Sequence, residues 1–154
     1  MIKPIIYNKD IKGLEKKDTL TTDEMILLRL GQGCLEKVIQ KKCHDMFNFK
    51  FEQGIFVAID NGDTAGGKLK PYQKIALYKN KKNLGTKSGF SDVMLIKKGK
   101  VTFVEFKRIG CPSDIDIKPE QLAYQKLLQD MGFKAYITNN PVYFNNIILK
   151  EFAK

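Results

Sequence analysis

The sequence predicts one α/β domain in which a mixed β-sheet is flanked by helices. Three observations support this prediction: two segments with apolar residues at helical spacing, a pair of β-rich runs around a glycine-containing turn, and two shorter β-rich runs on either side of that pair. Helical and extended patterns therefore alternate along the chain, as they do when helices pack on a sheet.

Length and composition restrict the class of protein. The chain has 154 residues, 43% of them hydrophobic, and a domain of this size can bury ~68–70% of its unfolded surface. No apolar run approaches ~18 residues, and the first residues do not form a signal peptide. Cys34, Cys43 and Cys111 are widely spaced, which disfavours both a disulfide framework and a structural zinc site. We expect a soluble intracellular protein of the cytoplasm or nucleoid, cellular or viral in origin, with no membrane partner.

The positive charge is concentrated in one segment. The net charge is +10, and residues 61–100 carry ten lysines against Asp63 and Asp92, which is +8 of the total. Clustered lysines neutralise phosphates, so a nucleic acid is the leading partner if a catalytic centre lies in the same segment. Without such a centre, a solvated lysine-rich loop is the simpler interpretation.

The N-terminal third is predicted to hold an arm followed by a longer helix. Residues 1–33 form the arm, in which Thr21 and Glu24 spell the capping box of a short helix. A second helix is predicted from about residue 34 to 46, with Glu36 at the margin of its buried stripe. That stripe is predicted to contain Leu35, Val38, Ile39, Lys42, Cys43 and Met46.

The rest of the chain reads as alternating strands and helices. Strands are predicted at 54–60, at 74–78 and at 133–138, and residues 61–67 read as a mobile glycine-rich loop. A helix begins at Pro119 and ends near Met131, and a closing helix spans 142–152. The buried stripe of the first of these helices is predicted to contain Tyr124, Leu127, Leu128 and Met131, continued by Gln121.

The central pair of β-rich runs forms a hairpin that brings two acids together. If Lys98 and Gly99 form a two-residue turn, Asp92 lies opposite Glu105, and opposed Cβ atoms are ~4.5–5.5 Å apart. Two like charges at that distance are destabilising unless a cation neutralises them. Lys107 follows Glu105 on the same face of the strand, ~6.6 Å along it.

Two carboxylates beside a lysine can carry out phosphodiester hydrolysis. Mg²⁺ binds through one or two carboxylates and keeps its other positions for water and phosphate, and a nearby lysine can orient the attacking water. The alternative is an exposed hairpin face with ordinary salt bridges. Charged side chains are rarely buried unless another charge or a metal ion compensates them. The presence of Glu105 in a strand as apolar as 101–106 therefore favours the metal site.

These residues resemble the VRR-Nuc branch of the PD-(D/E)xK nucleases, which have the restriction-endonuclease-like fold. The resemblance covers residues 34–138. It rests on four motifs in order: Leu35-Glu36-Lys37-Val38-Ile39-Gln40, Gly89-Phe90-Ser91-Asp92, Glu105-Phe106-Lys107 and Gln121-Leu122-Ala123-Tyr124, with Asp60-Asn61-Gly62 where the family has an Asn-Gly turn. Ser91 replaces the proline of the superfamily name, which shapes backbone and is not a ligand.

The resemblance implies a role for each of these residues and divides the chain into the arm 1–33 and a nuclease domain 34–154. Asp92, Glu105 and the Phe106 carbonyl would bind Mg²⁺, with Mn²⁺ as a substitute, and Lys107 would be the catalytic lysine. Glu36 would be an additional acid that binds metal or water; Glu24 is the competing candidate, disfavoured because it has a local capping role. Gln121 would lie near the scissile phosphate. The residues expected to contact DNA are Asn61, Lys68, Lys70, Lys87 and Tyr124.

We therefore predict a Mg²⁺-dependent DNA endonuclease. Stand-alone members of the family resemble Holliday-junction resolvases that act as homodimers, so branched DNA is the expected substrate, and the arm with Ile2, Ile5, Ile6 and the helix 25–30 is the expected dimer contact. Two alternatives stay open: a repair nuclease that nicks flaps or DNA ends, and a non-catalytic basic DNA-binding module.

Overall fold

The protein is a mixed α/β structure built on a four-stranded sheet. The computed structural model describes residues 2–4, 19, 21, 24–25, 28, 36–59, 70–83, 85, 87, 89–109 and 117–153. The strands are β1 (Ile55–Ala58), β2 (Val93–Lys97), β3 (Lys100–Phe106) and β4 (Lys134–Thr138). Their order in the sheet is β1-β2-β3-β4; β3 pairs with β4 in parallel and the other pairs are antiparallel. The predicted mixed sheet flanked by helices is confirmed.

The described ranges that flank the strands in sequence contain three longer helices and a C-terminal helical segment. The helices are α1 (Glu36–Lys50), α2 (Pro71–Asn83) and α3 (Pro119–Asp130). The C-terminal helical segment consists of three consecutive pieces, an α-helical turn, a π-helical stretch and a 3₁₀ turn, at Pro141–Tyr143, Phe144–Ile148 and Leu149–Phe152. The predicted closing helix is therefore helical, but its hydrogen-bond pattern changes along its length.

Alternate residues of β3 pack on opposite faces of the sheet. Val104 and Phe106 lie in the main core cluster, against α1 and the C-terminal helical segment, whereas Phe103 lies in a second cluster with Leu128 of α3. Successive side chains of a strand point to opposite faces, so α3 covers the face opposite to α1. Residues 103, 105 and 107 thus point toward the α3 side.

The hairpin turn has the geometry that the sequence predicted. Lys98 and Gly99 both have positive φ, 48° and 76°, as a type I′ turn requires. The strands pair from Lys97 with Lys100 through Val93 with Val104, which is the register expected for a two-residue turn. Because a slip of one residue would turn every side chain to the other face, this register fixes the face on which Asp92 and Glu105 lie.

The strand predicted at 74–78 is wrong, since these residues lie in α2. Pro71 occupies the first turn, where its missing N–H costs nothing, and Gln73 Oε1 accepts a hydrogen bond from the Lys70 N–H at 2.9 Å. Ile75 is the only β-branched residue of a segment otherwise rich in good helix formers. The short alternation of apolar and polar residues favours a strand, but the helix start signal at Pro71 and the helix propensity of the segment outweigh it.

The buried faces of two helices are rotated from the predicted ones. In α1 the buried residues are Ile39, Cys43 and Phe47, so Val38 is exposed and Phe47 replaces Met46 as a central core residue. In α3 the buried residues are Gln125 and Leu128, while Leu127 and Met131 are exposed. Gln125 is buried because its amide donates to the Ala135 carbonyl at 3.2 Å, a partner that helical periodicity cannot reveal.

The capping box of the N-terminal arm is confirmed. The Thr21 N–H donates to Glu24 Oε2 at 3.0 Å, and the Glu24 N–H donates to Thr21 Oγ1 at 3.3 Å. Ile2 exchanges backbone hydrogen bonds with the Gln129 side chain, at 3.1 and 3.2 Å, and packs with Leu28 against the main core. Ile2 and Leu28 of the arm therefore have partners inside the chain.

Several predicted features lie outside the described residues. They are most of the arm, including Ile5 and Ile6, the cysteines Cys34 and Cys111, the turn at Asp60-Asn61-Gly62 and the loop 61–67. Within the described parts of the chain, no helix is long and apolar enough to span a membrane.

The turn residue Lys98 adopts a left-handed conformation that Asn tolerates better than other residues with a side chain. We expect Lys98→Asn to raise the free energy of unfolding by about 0.5–1 kcal/mol, measured by urea denaturation. Gly99→Ala, which places a methyl group at φ 76°, is expected to lower it. A destabilised Lys98→Asn protein would contradict the assigned turn type.

Candidate metal and phosphodiesterase site

Asp92 and Glu105 meet at the open end of the hairpin. Asp92 immediately precedes β2, and continuing the observed register by one residue places it opposite Glu105. Both lie on the face that carries Met94 and Phe103, because side chains alternate along a strand. Asp92 Oδ2 also accepts a hydrogen bond from the Phe106 N–H at 2.7 Å. The predicted juxtaposition of the two acids is present.

Glu105 is a buried carboxylate with one satisfied and one unsatisfied oxygen. Its exposure is 5%, and its Oε1 lies 3.3 Å from Lys107 Nζ and accepts a hydrogen bond from Gln121 Nε2. Among the described residues, its Oε2 has no hydrogen-bond partner. A buried carboxylate oxygen without a partner is costly, which marks the position where a cation would be stabilised.

The electrostatics of the site favour binding of a cation. The pKa of Glu105 is raised to about 8, mainly by burial and next by the nearby charge of Asp92. Lys107 lowers this pKa and offsets only part of the increase. Burial also raises the pKa of Asp92, to about 6. The hydrogen bond from the Phe106 N–H lowers this pKa, whereas the charge of Glu36 raises it. Near neutral pH the pair therefore retains a proton unless another positive charge compensates it.

Glu36 begins α1 at the edge of the site. Its side chain is exposed, and its charge acts on both Asp92 and Glu105. Glu24, by contrast, bonds the Thr21 N–H, as expected for a residue with a capping role. The described residues contain no group of three or more His, Cys, Asp or Glu side chains arranged to hold a metal ion. Asp92 and Glu105 nevertheless match the one or two carboxylates that Mg²⁺ uses when water and phosphate complete its shell.

Gln121 links α3 to Glu105. Its Oε1 accepts the Lys118 N–H at 3.1 Å, at the start of α3, while its Nε2 donates to Glu105. The helix start and the acid are thus connected through one amide. The sequence placed Gln121 at this end of the helix but did not indicate that it bonds Glu105 directly.

Gly89 allows α3 to approach the segment that leads into β2 and carries Asp92. A Cβ on Gly89 would lie 2.8 Å from Glu120 Cβ and 3.2 Å from the Gln121 N, and its φ is +80°. Only glycine satisfies both restrictions. Gly89 was noted in the sequence as part of a motif, but this packing role was not recognised there.

The end of β4 fixes the backbone around Lys107. The Lys107 N–H donates to the Thr138 carbonyl at 3.1 Å, and Asn139 Nδ2 donates to the Arg108 carbonyl at 3.2 Å. Asn140 Oδ1 accepts from the Val142 N–H at 2.9 Å and so begins the next helical turn. Sequence reasoning treated 139–141 only as a turn; the signal it missed was two adjacent asparagines directly after a strand.

The residues predicted to contact DNA differ in their exposure. Lys70 and Lys87 are exposed, whereas the Tyr124 ring is half-buried with its centroid 5.8 Å from that of Phe90. Asn61 and Lys68 lie outside the described residues.

Two further lysines of the basic segment have structural partners. Lys97 Nζ donates to the Phe152 carbonyl at 3.2 Å and Lys100 Nζ to the Glu151 carbonyl at 2.8 Å. These lysines attach the C-terminal helical segment to the hairpin tip, far from the acids.

The pKa shifts predict how stability depends on pH. Glu105 and Asp92 have ordinary values of 4.5 and 3.8, and burial raises their pKa to about 8 and about 6 in the folded protein. The folded state therefore binds more protons than the unfolded state between about pH 4 and 8, so the free energy of unfolding falls as pH rises. We expect a fall on the order of a few kcal/mol in EDTA, measured by urea denaturation.

Glu105→Gln should remove most of this fall between pH 4.5 and 8, whereas the exposed Glu52→Gln should leave it unchanged. At pH 8, Mg²⁺ should raise the unfolding midpoint of the wild-type chain and have no such effect on Glu105→Gln. If the free energy of unfolding depended on pH in the same way in both variants, the assignment of this dependence to Glu105 would be contradicted.

A pair of glycine variants tests the contact between Gly89 and α3. Gly85 also has positive φ, +91°, but a Cβ there would meet nothing within 4 Å. Gly85→Ala should therefore carry only the conformational cost of about 1–2 kcal/mol, and Gly89→Ala should cost more and displace Gln121. Urea denaturation measures the difference, and equal losses would show that the close approach has no energetic weight.

No protein-family model matches this chain, and no curated protein or solved structure matches it either.

Proposed function

We propose that this protein is a Mg²⁺-dependent DNA endonuclease that hydrolyses phosphodiester bonds. The observation that carries the proposal is the buried Glu105 carboxylate, which faces Asp92, contacts Lys107 and leaves one oxygen without a partner among the described residues. Two acids and an ammonium group at one end of a sheet match the requirements of metal-assisted phosphodiester hydrolysis.

The order of elements supports a restriction-endonuclease-like core and membership of the VRR-Nuc branch. A helix bearing Glu36 precedes three antiparallel strands, and α3, bearing Gln121, connects β3 to the parallel strand β4. The motif residues Asp92, Glu105 and Lys107 occupy the ends of adjacent strands, where a shared active site can form.

Each side chain has a distinct task in the proposed reaction. Asp92, Glu105 and the Phe106 carbonyl would hold Mg²⁺, which when bound supplies Lewis-acid stabilisation of the phosphate and lowers the pKa of water. Lys107 orients the attacking water and stabilises charge on the phosphoryl oxygens. Its Nζ, with the Gln121 amide, also holds Glu105 Oε1, so that Oε2 remains for the cation.

The proposed substrate is branched DNA, cut by a homodimer with one active site per strand. Substrate selection by shape suits a lysine-rich segment, because backbone contacts by lysines position DNA without reading its sequence. Lys70 and Lys87 are exposed and available for such contacts. Cleavage of flaps or DNA ends uses the same chemistry and differs only in how the DNA is presented.

Cleavage assays with labelled four-way junction, flap and linear duplex test the proposal. Mg²⁺ or Mn²⁺ should support cutting and EDTA should abolish it. Lys107→Met should lower the rate by about 10²-fold or more because it removes the group that assists water, and Asp92→Asn should do the same by weakening the metal site. The matched control is Lys126→Met, since Lys126 is exposed on α3 and pairs with Asp130.

Circular dichroism of each variant separates loss of chemistry from loss of folding. DNA binding that survives EDTA, with no cleavage of any substrate, would favour the non-catalytic basic DNA-binding module. Full activity in a folded Lys107→Met protein would remove the proposed catalytic lysine.

A further inference from the structure

Helix α2 has no buried side chain among those that are described. Eight of its side chains are described and all eight are exposed: Pro71, Tyr72, Gln73, Ile75, Ala76, Lys79, Asn80 and Asn83. A helix of 13 residues with this exposure gains little from packing of these side chains. Its exposed apolar side chains are therefore candidates for contact with another molecule.

One face of α2 combines apolar and basic groups. Tyr72, Ile75 and Lys79 are spaced three and four residues apart, so they lie on the same face, with Tyr72 64% and Ile75 59% exposed. The helix contains four lysines, and no Asp or Glu occurs anywhere in it. This composition complements a polyanion that also offers flat apolar surfaces.

The chain segment that contains α2 leaves the sheet beside the candidate site and returns to it there. The Ile59 N–H donates to the Asp92 carbonyl at 2.7 Å, so the chain before α2 and the chain after it meet beside the metal-binding acid. Gly89 contacts the start of α3 next to Gln121. Five residues lie between Asn83 and Gly89, so their Cα atoms are six steps and at most ~20 Å apart. The end of α2 therefore lies within reach of DNA held at the site.

We infer that α2 is the element that engages unpaired or unstacked bases of branched DNA, which deepens the proposed nuclease function and rests on it. Tyr72 stacks on an exposed base, Ile75 inserts against the opened base step, and Lys79 contacts a phosphate. Linear duplex exposes a base face only at its two ends, so α2 contributes to selectivity for branches and little to binding of plain duplex.

Equilibrium binding in EDTA tests α2 independently of cleavage. Fluorescence anisotropy would compare a four-way junction, a flap and a linear duplex of matched sequence. The double variant Tyr72→Ala/Ile75→Ala should bind branched DNA about tenfold more weakly and duplex within about twofold of wild type. The control is Leu127→Ala/Met131→Ala, which removes a similarly exposed apolar pair, 51% and 64%, from the C-terminal end of α3 and the residue directly after it.

Cleavage of the same DNAs with Mg²⁺ separates the two claims. If the α2 variant cuts DNA but keeps the wild-type ratio of branched to duplex binding, the role of α2 is overturned and the nuclease stands. If the wild-type chain cuts no DNA, the nuclease is overturned, and the anisotropy ratio still decides whether α2 recognises branches. An equal loss in the α3 control would show that the effect is not specific to α2, and would also overturn the inference.

Discussion

The burial of Glu105 opposite Asp92 is the constraint on which the site depends. A carboxylate removed from water and placed near a second acid is disfavoured in its charged form, and Lys107 and Gln121 satisfy only one of its oxygens. Such an arrangement persists because strong hydrophobic packing of the neighbouring strand residues Val104 and Phe106 holds β3 in place. The fold thus supplies the stability that the charged groups do not.

Charged side chains have different roles at the two ends of the hairpin. At its tip, Lys97 and Lys100 bond carbonyls of the C-terminal helical segment, which fastens that segment to the sheet. At its open end, Asp92 and Glu105 face each other beside Lys107. A register fixed by the type I′ turn at Lys98 and Gly99 sets both ends at once, because every pair along the ladder follows from the turn.

The surroundings of the site come from three different elements that converge there. Gly89 lets α3 approach closely, Gln121 connects the start of α3 to Glu105, and the Thr138 carbonyl holds the Lys107 backbone. Each contact joins residues that are distant in the chain, so a change in the packing of α3 would be transmitted directly to the acid. The position of Glu36 at the start of α1 adds a further negative charge at the same end.

The sequence by itself determined the hairpin, its register and the shared face of Asp92, Glu105 and Lys107, because a two-residue turn and the period of two are local rules. It also determined the capping box of Thr21 and Glu24 and the helix that begins at Pro119. The tertiary structure alone decided which face of α3 is buried, since Gln125 finds its partner in β4. It likewise decided that Glu105 is almost fully buried and bonded to Gln121. These features depend on contacts between distant segments, which periodicity and composition do not encode. The helix over 74–78, by contrast, follows from local signals that a short apolar alternation obscured.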